Sequence, residues 1–347
     1  MVDGSRQYVS TFIAGFGEMV SDALKQKLAN VVVETLLDGL ILYRSTSPVG
    51  EVQKLRFANN SFLSLRAETH PAIDKVEAIV RRLFGRADLA PATAVTTAKQ
   101  VRTFRVIISK ENATVAIDPA LLAGVEKKIA HQLKLTVRRA LPDVEFWFLL
   151  RREGLCFFGV RMTALGKQRT RKYTPGELRQ ELCHLLCLLS EPSGKDVVLD
   201  PFCGSGALVL EWLHNFPVRH ILAGDEDPTL VAALQRKLAR QRNVTVAQWD
   251  ARALMTVAGS SVDKIITDPP WGFFKGETVD FALFYTEMLA EFARVLKPGG
   301  LAVVLVGRKD EFTQALAALA GRFEPLKEYH VLVSGKKAAV YKLRRLT

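Results

Sequence analysis

From residue 177 onward, short β-forming runs alternate with runs of helical period, and this alternation limits the chain to very few folds. Strand-like runs fall at 197–199, 221–223, 244–247, 264–267 and 301–306. Helix-like runs begin near Ser205 and Thr229, extend through 281–296, and begin again near Asp310. Strands that alternate with helices bury both faces only as a parallel sheet with helices on each side. The last two runs, 329–333 and 339–343, are joined by Ser334-Gly335-Lys336-Lys337 and read as a hairpin. The expected fold over 177–347 is therefore α/β, a Rossmann-like sheet whose last strand is antiparallel.

Residues 1–165 follow a different, α+β pattern. Residues 7–14 alternate as a strand, Gly15-Phe16-Gly17 breaks it, and a helix follows from Glu18. Ile73, Val76, Ile79, Val80 and Leu83 mark a second helix, 102–109 a strand, and 119–135 a third helix. A hairpin is expected from 144–150 and 155–162. Residues 164–176 lack apolar periodicity and are rich in Lys and Arg, which places a linker at 166–176 between the two halves.

The chain of 347 residues is long enough for roughly two domains of about 150 residues. No apolar run approaches the ~20 residues of a membrane span, so no membrane association is expected. The first residues show no basic stretch followed by a long apolar core, so a secretory leader is not expected. Cys156, Cys183, Cys187 and Cys203 form no C-x-x-C pair, and the six histidines form no H-E-x-x-H. Neither a metal site nor a disulfide framework is expected, and reduced, buried thiols fit a cytoplasmic protein. Charge is one-sided. Residues 1–172 hold 27 Lys and Arg against 16 Asp and Glu, whereas residues 173–347 hold 21 against 20. Such an excess in one half points to a polyanionic partner, and RNA or DNA is the commonest.

Three acids end successive strands of the second half. Asp200 opens Asp200-Pro201-Phe202-Cys203-Gly204-Ser205-Gly206, a small-residue loop that enters a helix. Glycines there let a ligand approach the backbone, and the helix start offers unpaired N–H groups. Asp225 ends the next strand, where a carboxylate meets ribose hydroxyls. The dinucleotide fingerprint fails, because Val209 stands where its third glycine belongs. An acid in the loop repels a pyrophosphate but suits a cationic amino acid, so S-adenosylmethionine (SAM) fits better than NAD. Asp250 and Ala251 follow the third strand, where an acid either accepts from an adenine amine or caps a turn. Asp268-Pro269-Pro270-Trp271 follows the fourth strand. An acid and a rigid carbonyl can take the two hydrogens of an exocyclic amine, so that nitrogen turns its lone pair toward a methyl donor. Trp271 would stack on the base.

On these motifs the chain resembles the amino-methylating class of Rossmann-fold SAM-dependent methyltransferases. More narrowly, it resembles the THUMP-domain RNA methyltransferases that make N2-methylguanosine. Tyr8-Val9-Ser10-Thr11 through Gly15-Phe16-Gly17-Glu18 is similar to the opening of their ferredoxin-like part. Phe104-Arg105-Val106 through Pro142-Asp143-Val144-Glu145 is similar to their THUMP core. The resemblance implies that Asp200, Pro201, Phe202, Cys203, Gly204, Ser205 and Gly206 hold SAM, with Asp225 at the ribose, Glu226 against the adenine ring, and Asp250 and Ala251 at the adenine. It implies that Asp268, Pro269, Pro270 and Trp271 hold the target base, and that 171–176, with Tyr173, close over the cofactor. Ala207 departs from the usual Thr, and Glu226 from an apolar residue. The implied substrate is RNA, tRNA first, near the acceptor stem, and the resemblance leaves room for a small activating protein.

Two other readings share the motifs: an adenine-N6 methyltransferase, and an RNA-binding protein whose SAM domain is inactive. The basic candidates for RNA contact are Arg102, Arg105, Arg138, Arg139, Lys167, Arg169, Arg171 and Lys172. RNA affinity is expected to fall steeply with salt, and a titration between low and moderate ionic strength checks it. A flat response would remove the basic half as the RNA grip.

Overall fold

A computed structural model describes residues 4–69, 75–97, 101–163, 177–272 and 280–347. The chain forms two compact units, one of residues 1–12 and 17–172, the other of residues 13–16 and 173–347. The expected linker at 166–176, with Lys167, Arg169, Arg171, Lys172 and Tyr173, lies outside the described residues, as does Ile73.

The strands of the first unit are β1 (Arg6–Thr11), β2 (Val32–Leu37), β3 (Leu40–Ser45), β4 (Asn60–Thr69), β5 (Thr103–Lys110), β6 (Ala113–Thr114), β7 (Thr136–Val137), β8 (Val144–Arg151) and β9 (Leu155–Arg161). Its helices are α1 (Gly17–Lys27), α2 (Val49–Val52), α3 (Val76–Gly85), α4 (Thr93–Thr96) and α5 (Pro119–Leu133). The strands make one sheet in the order β2-β3-β1-β4-β9-β8-β5-β6, with β7 also beside β5. The hairpin β8–β9 lies inside this sheet and packs Phe146, Phe148 and Phe158 in a stacked row. Aromatic side chains of this size fill a sheet face that smaller residues would leave with voids.

A charged network runs through the same strands. Glu145 on β8 is fully buried, a position that disfavours its ionised form. Three donors outweigh that cost and hold its carboxyl below the usual range: Arg105 from β5, Arg161 from β9, and the Trp147 indole. Arg139 makes a two-pronged contact with the buried Glu126 of α5. Two of the four described arginines nominated for RNA contact are therefore engaged with carboxylates of their own unit. Arg102 and Arg138 remain exposed.

The second unit contains β10 (Val197–Asp200), β11 (His220–Asp225), β12 (Val244–Gln248), β13 (Val262–Thr267), β14 (Leu296–Val306), β15 (Phe323–Val333) and β16 (Lys336–Arg345). Its helices are α6 (Gln180–Leu189), α7 (Ala207–Asn215), α8 (Pro228–Leu238), α9 (Phe281–Val295) and α10 (Lys309–Ala318). Strand order is β12-β11-β10-β13-β14-β16-β15. The pairs from β12 to β14 are parallel, and β16 runs antiparallel to both β14 and β15. This is the expected α/β sheet with its antiparallel last strand. Tyr285, Met288, Leu289 and Phe292 of α9 are buried with Val304, Val306 and Phe312 in its core. The direction of the chain reverses about β10, since β11 lies on one side and β13 on the other. Open parallel sheets form their ligand crevice at the carboxyl ends of strands beside such a reversal. No described helix is long and apolar enough to cross a membrane.

Truncating Glu145 leaves Arg105 and Arg161 without their shared acceptor. Glu145→Ala is expected to cost about 3–5 kcal/mol, read as a shifted midpoint in denaturant unfolding. A loss below 1 kcal/mol would mean that water replaces the carboxylate.

Candidate active site

The parallel register sets three carboxylates along one edge. Asp200 pairs with Ala223 on β11, Asp225 pairs with Gln248 on β12, and Thr267 ends β13 just before Asp268. The turn after β10 depends on backbone freedom. Gly206 has φ +84° at the start of α7, and a Cβ there would sit 2.4 Å from Leu234. No side chain caps α7, so its first N–H groups are left for a ligand. Asp225 fixes the loop by accepting from the Gly204 N–H (2.8 Å) and the Asp227 N–H (3.1 Å).

Asp200 is buried with only part of its hydrogen-bonding capacity met. One of its oxygens accepts from the Thr267 hydroxyl (2.8 Å) and the Phe202 N–H (3.3 Å). The other, Oδ2, is buried and has no partner among the described residues. Burial pushes the carboxyl up to about 7, against the hydrogen bonds from Thr267 and Phe202 and with some help from the nearby Asp225 charge. Asp268 is also pushed up to about 7, by burial first and by Asp200, while the Trp271 indole N–H works the other way. That N–H donates to Asp268 Oδ1 at 2.8 Å.

Around these groups lies a cavity of about 340 Å³. Its acids are Glu177, Asp200, Asp225, Glu226 and Asp268, and its described wall has no Lys, Arg or His. Phe202, Cys203, Gly204, Ser205 and Pro270 also line it. For a pyrophosphate the surrounding carboxylates oppose what the N–H groups of α7 would offer. An ammonium placed at Asp200 Oδ2 would satisfy an orphaned acceptor and return the carboxyl to its charged state. The residues present thus fit SAM, which carries an ammonium, a sulfonium and no phosphate.

Other nominated residues have other surroundings. Pro201 and Ala251 are buried and not part of the wall, and Gly206 acts through the turn. Asp250 accepts the Arg252 N–H at 2.9 Å and pairs with the Arg252 guanidinium at 2.8 Å, so it caps a turn rather than lining the cavity. Pro269 is buried, and Trp271 lies against Gly307, where a Cβ would meet the indole at 2.5 Å. The sequence reading missed Thr267, Glu177, Leu178 and Leu230. Thr267 adjoins a named motif but points back across the sheet to Asp200, a contact 67 residues away in the chain. Arg308 was missed as well. Its Nε donates to the Trp271 carbonyl (3.2 Å), and its guanidinium lies 4.4 Å from the Phe281 ring centre.

The sign of the pH effect follows from Asp200 and Asp268. Both hold protons in the folded state at pH values where the unfolded chain has lost them. The ligand-free protein should therefore lose stability as pH rises from about 4 to about 7 and level off above. Thermal midpoints across that range check this, and Asp200→Asn should flatten part of the fall while removing SAM binding. An unchanged slope in that variant would mean that Asp200 is already ionised.

Residues 167–338 match the family described as UPF0020, RMKL-like, methyltransferase domain. A mouse protein named tRNA (guanine(6)-N(2))-methyltransferase THUMP3 is 31% identical over 197 residues, 52% of this chain and 39% of its own length. A Thermus thermophilus protein named tRNA (guanine(6)-N2)-methyltransferase is 30% identical over 166 residues, 46% of this chain and 49% of its own. The chain thus spans less than half the length of these curated relatives. In three dimensions it is similar to the crystal structure of TrmN from Thermus thermophilus, with a TM-score of 0.75 and 22% identity over 98% of this chain and 99% of the other.

Proposed function

We propose that this chain, whose residues 167–338 match the UPF0020 model of RMKL-like methyltransferase domains, transfers a methyl group from SAM to the exocyclic N2 amine of a guanosine in RNA. tRNA is the substrate class, near the acceptor stem, in keeping with the guanine(6)-N2 specificity in the names of both relatives. Residues 1–165 serve as a ferredoxin-like and THUMP module that holds the RNA. The observation that carries the reading is the cavity whose described wall has five acids and no base, directly beside the Asp268-Pro269-Pro270-Trp271 loop.

When bound, SAM supplies an electrophilic methyl. The chain's own residues position both sides of the transfer. Asp200 and the loop through Gly204 hold the amino-acid end, and Asp225 takes the ribose hydroxyls. Asp250 can reach the adenine only by giving up Arg252. On the substrate side, Trp271 fixes Asp268 through Oδ1 and leaves Oδ2 with no hydrogen bond among the described residues. That oxygen and the Pro269 carbonyl accept the hydrogens of the amine. The nitrogen then becomes pyramidal and directs its lone pair at the methyl carbon. Asp268 need not be a strong base, since the amine turns acidic only once methylated. Alignment of the two reactants supplies most of the acceleration.

The test is methyl transfer from labelled SAM to fractionated RNA, followed by nucleoside mass spectrometry. Label should appear in tRNA as N2-methylguanosine. Asp268→Ala should lower the rate about 10²–10⁴-fold with SAM binding retained. Label in N6-methyladenosine would overturn the choice of base, and an active Asp268→Ala would overturn the mechanism.

A further inference from the structure

The first unit has a second cavity, of about 310 Å³, that none of the motifs above touches. It forms where two strands part. β4 pairs with β1 only as far as Tyr8↔Leu63. Immediately beyond, a bulge between Ser64 and Arg66 makes Leu65 an extra residue against β9. Bulges bend a strand and re-aim its side chains. Here the bend separates residues 64–67 from the start of β1 and opens a cleft between them.

Three arginines line this cleft: Arg6 from β1, Arg44 from β3 and Arg66 from β4. Arg6 is exposed and pairs with no described carboxylate. Arg44 is held in place by Glu34, which also accepts from Gln7. Among the described residues Arg66 has a long contact to Glu68 (3.7 Å), and its buried Nε–H has no partner. Glu68 is shared further with Arg82 (2.7 Å) and Arg86 (3.8 Å), so it cannot neutralise Arg66. Positive charge is therefore in excess, and a donor is left unmet. Gln7 and Ser64, joined at 2.8 Å, supply neutral polar groups in the same wall.

We propose that this cleft is a phosphate site, occupied by a backbone phosphodiester of the RNA substrate. The inference rests on the reading of the protein as an RNA methyltransferase. Guanidinium forks match phosphate oxygens, which supplies the chemistry. Among the described residues no aromatic side chain lines the cleft, so its described wall offers arginines for a phosphate and no ring on which to stack a base. Contacts of this kind fix register and orientation without reading sequence. The site would hold the RNA at a point on the first unit separate from the nominated Arg102 and Arg138.

The experiment measures binding of full-length protein to substrate RNA across a salt series, for wild type, Arg6→Ala, Arg66→Ala and Arg66→Lys. Each alanine variant should bind about tenfold more weakly at low salt. Each should also flatten the log–log salt slope by about one unit. SAM affinity should not change, and Arg66→Lys should recover part of the loss. Arg6 is exposed, so Arg6→Ala keeps the test valid should Arg66→Ala unfold in a thermal scan. Wild-type affinity and slope in Arg6→Ala would overturn the proposal while leaving the methyltransferase reading intact. Failure of the wild type to bind any RNA would overturn both. Thermal stabilisation of the wild type by inorganic phosphate, with RNA affinity unchanged in the variants, would reassign the cleft to a free phosphate and overturn the strand.

Discussion

The hydrogen bond from Thr267 to Asp200 joins the ends of β13 and β10, and the site depends on it. It holds one oxygen of a buried carboxylate and leaves the other bare. Without Thr267 the carboxylate could rotate, and its unmet acceptor would no longer be fixed in the cavity. The contact exists only because β10 and β13 are parallel neighbours at the point where strand order reverses. Fold topology and ligand chemistry meet in this one bond. A loop could not impose the same geometry, since nothing would fix two residues 67 positions apart to hydrogen-bond distance.

The same bond shows how stability is exchanged for binding. A carboxylate raised to about 7 by burial is a poor choice for a folded core. It becomes a good one when a cationic ligand completes its coordination. The surrounding structure has to bear the cost in the empty state, and it does so with a well-filled apolar core. Tyr285, Phe292 and Phe312 pack against the sheet behind the site, all of them fully buried. Gly206 and Gly307 contribute differently, by leaving space. One admits Leu234 against the loop, and the other admits the Trp271 ring that steadies Asp268.

Much of the catalytic half was legible because its signals are local. A strand, an acid and a small-residue turn sit within a dozen residues, so Asp200, Asp225 and Asp268 could be placed at strand ends from sequence alone. What local signals could not show are partners distant in the chain. Nothing near Arg105 in the sequence announces Glu145, 40 residues on, which accepts from it. Arg139 is explained by Glu126 on a helix that precedes it. Asp250 is a different case, since Arg252 lies only two residues away and the competing turn cap was visible in the sequence. The strands β2, β3 and β4 escaped reading. β2 lies at the sheet edge with alternate residues exposed, and β4 runs through a bulge that breaks its period of two. That bulge is also what opens the arginine cleft, so the same irregularity hid the strand and created the feature.

Charge separation gives the proposed reaction its logic. An RNA strand brings a phosphate with every nucleotide, and the acids around the candidate cavity disfavour a phosphate beside them. The cavity can therefore admit a neutral base more readily than the backbone that carries it. Affinity for the strand has to come from elsewhere in the chain, and nearly all the excess positive charge lies in residues 1–172. An acidic cavity also rejects nucleotides that enter with their own phosphates, which leaves a base presented from a tethered strand as the species that fits. On this argument the basic half sets which RNA is engaged, and the acidic cavity sets which part of it can react. Loss of either charge pattern would abolish turnover for a different reason, the first by failing to hold the strand and the second by failing to hold the methyl donor.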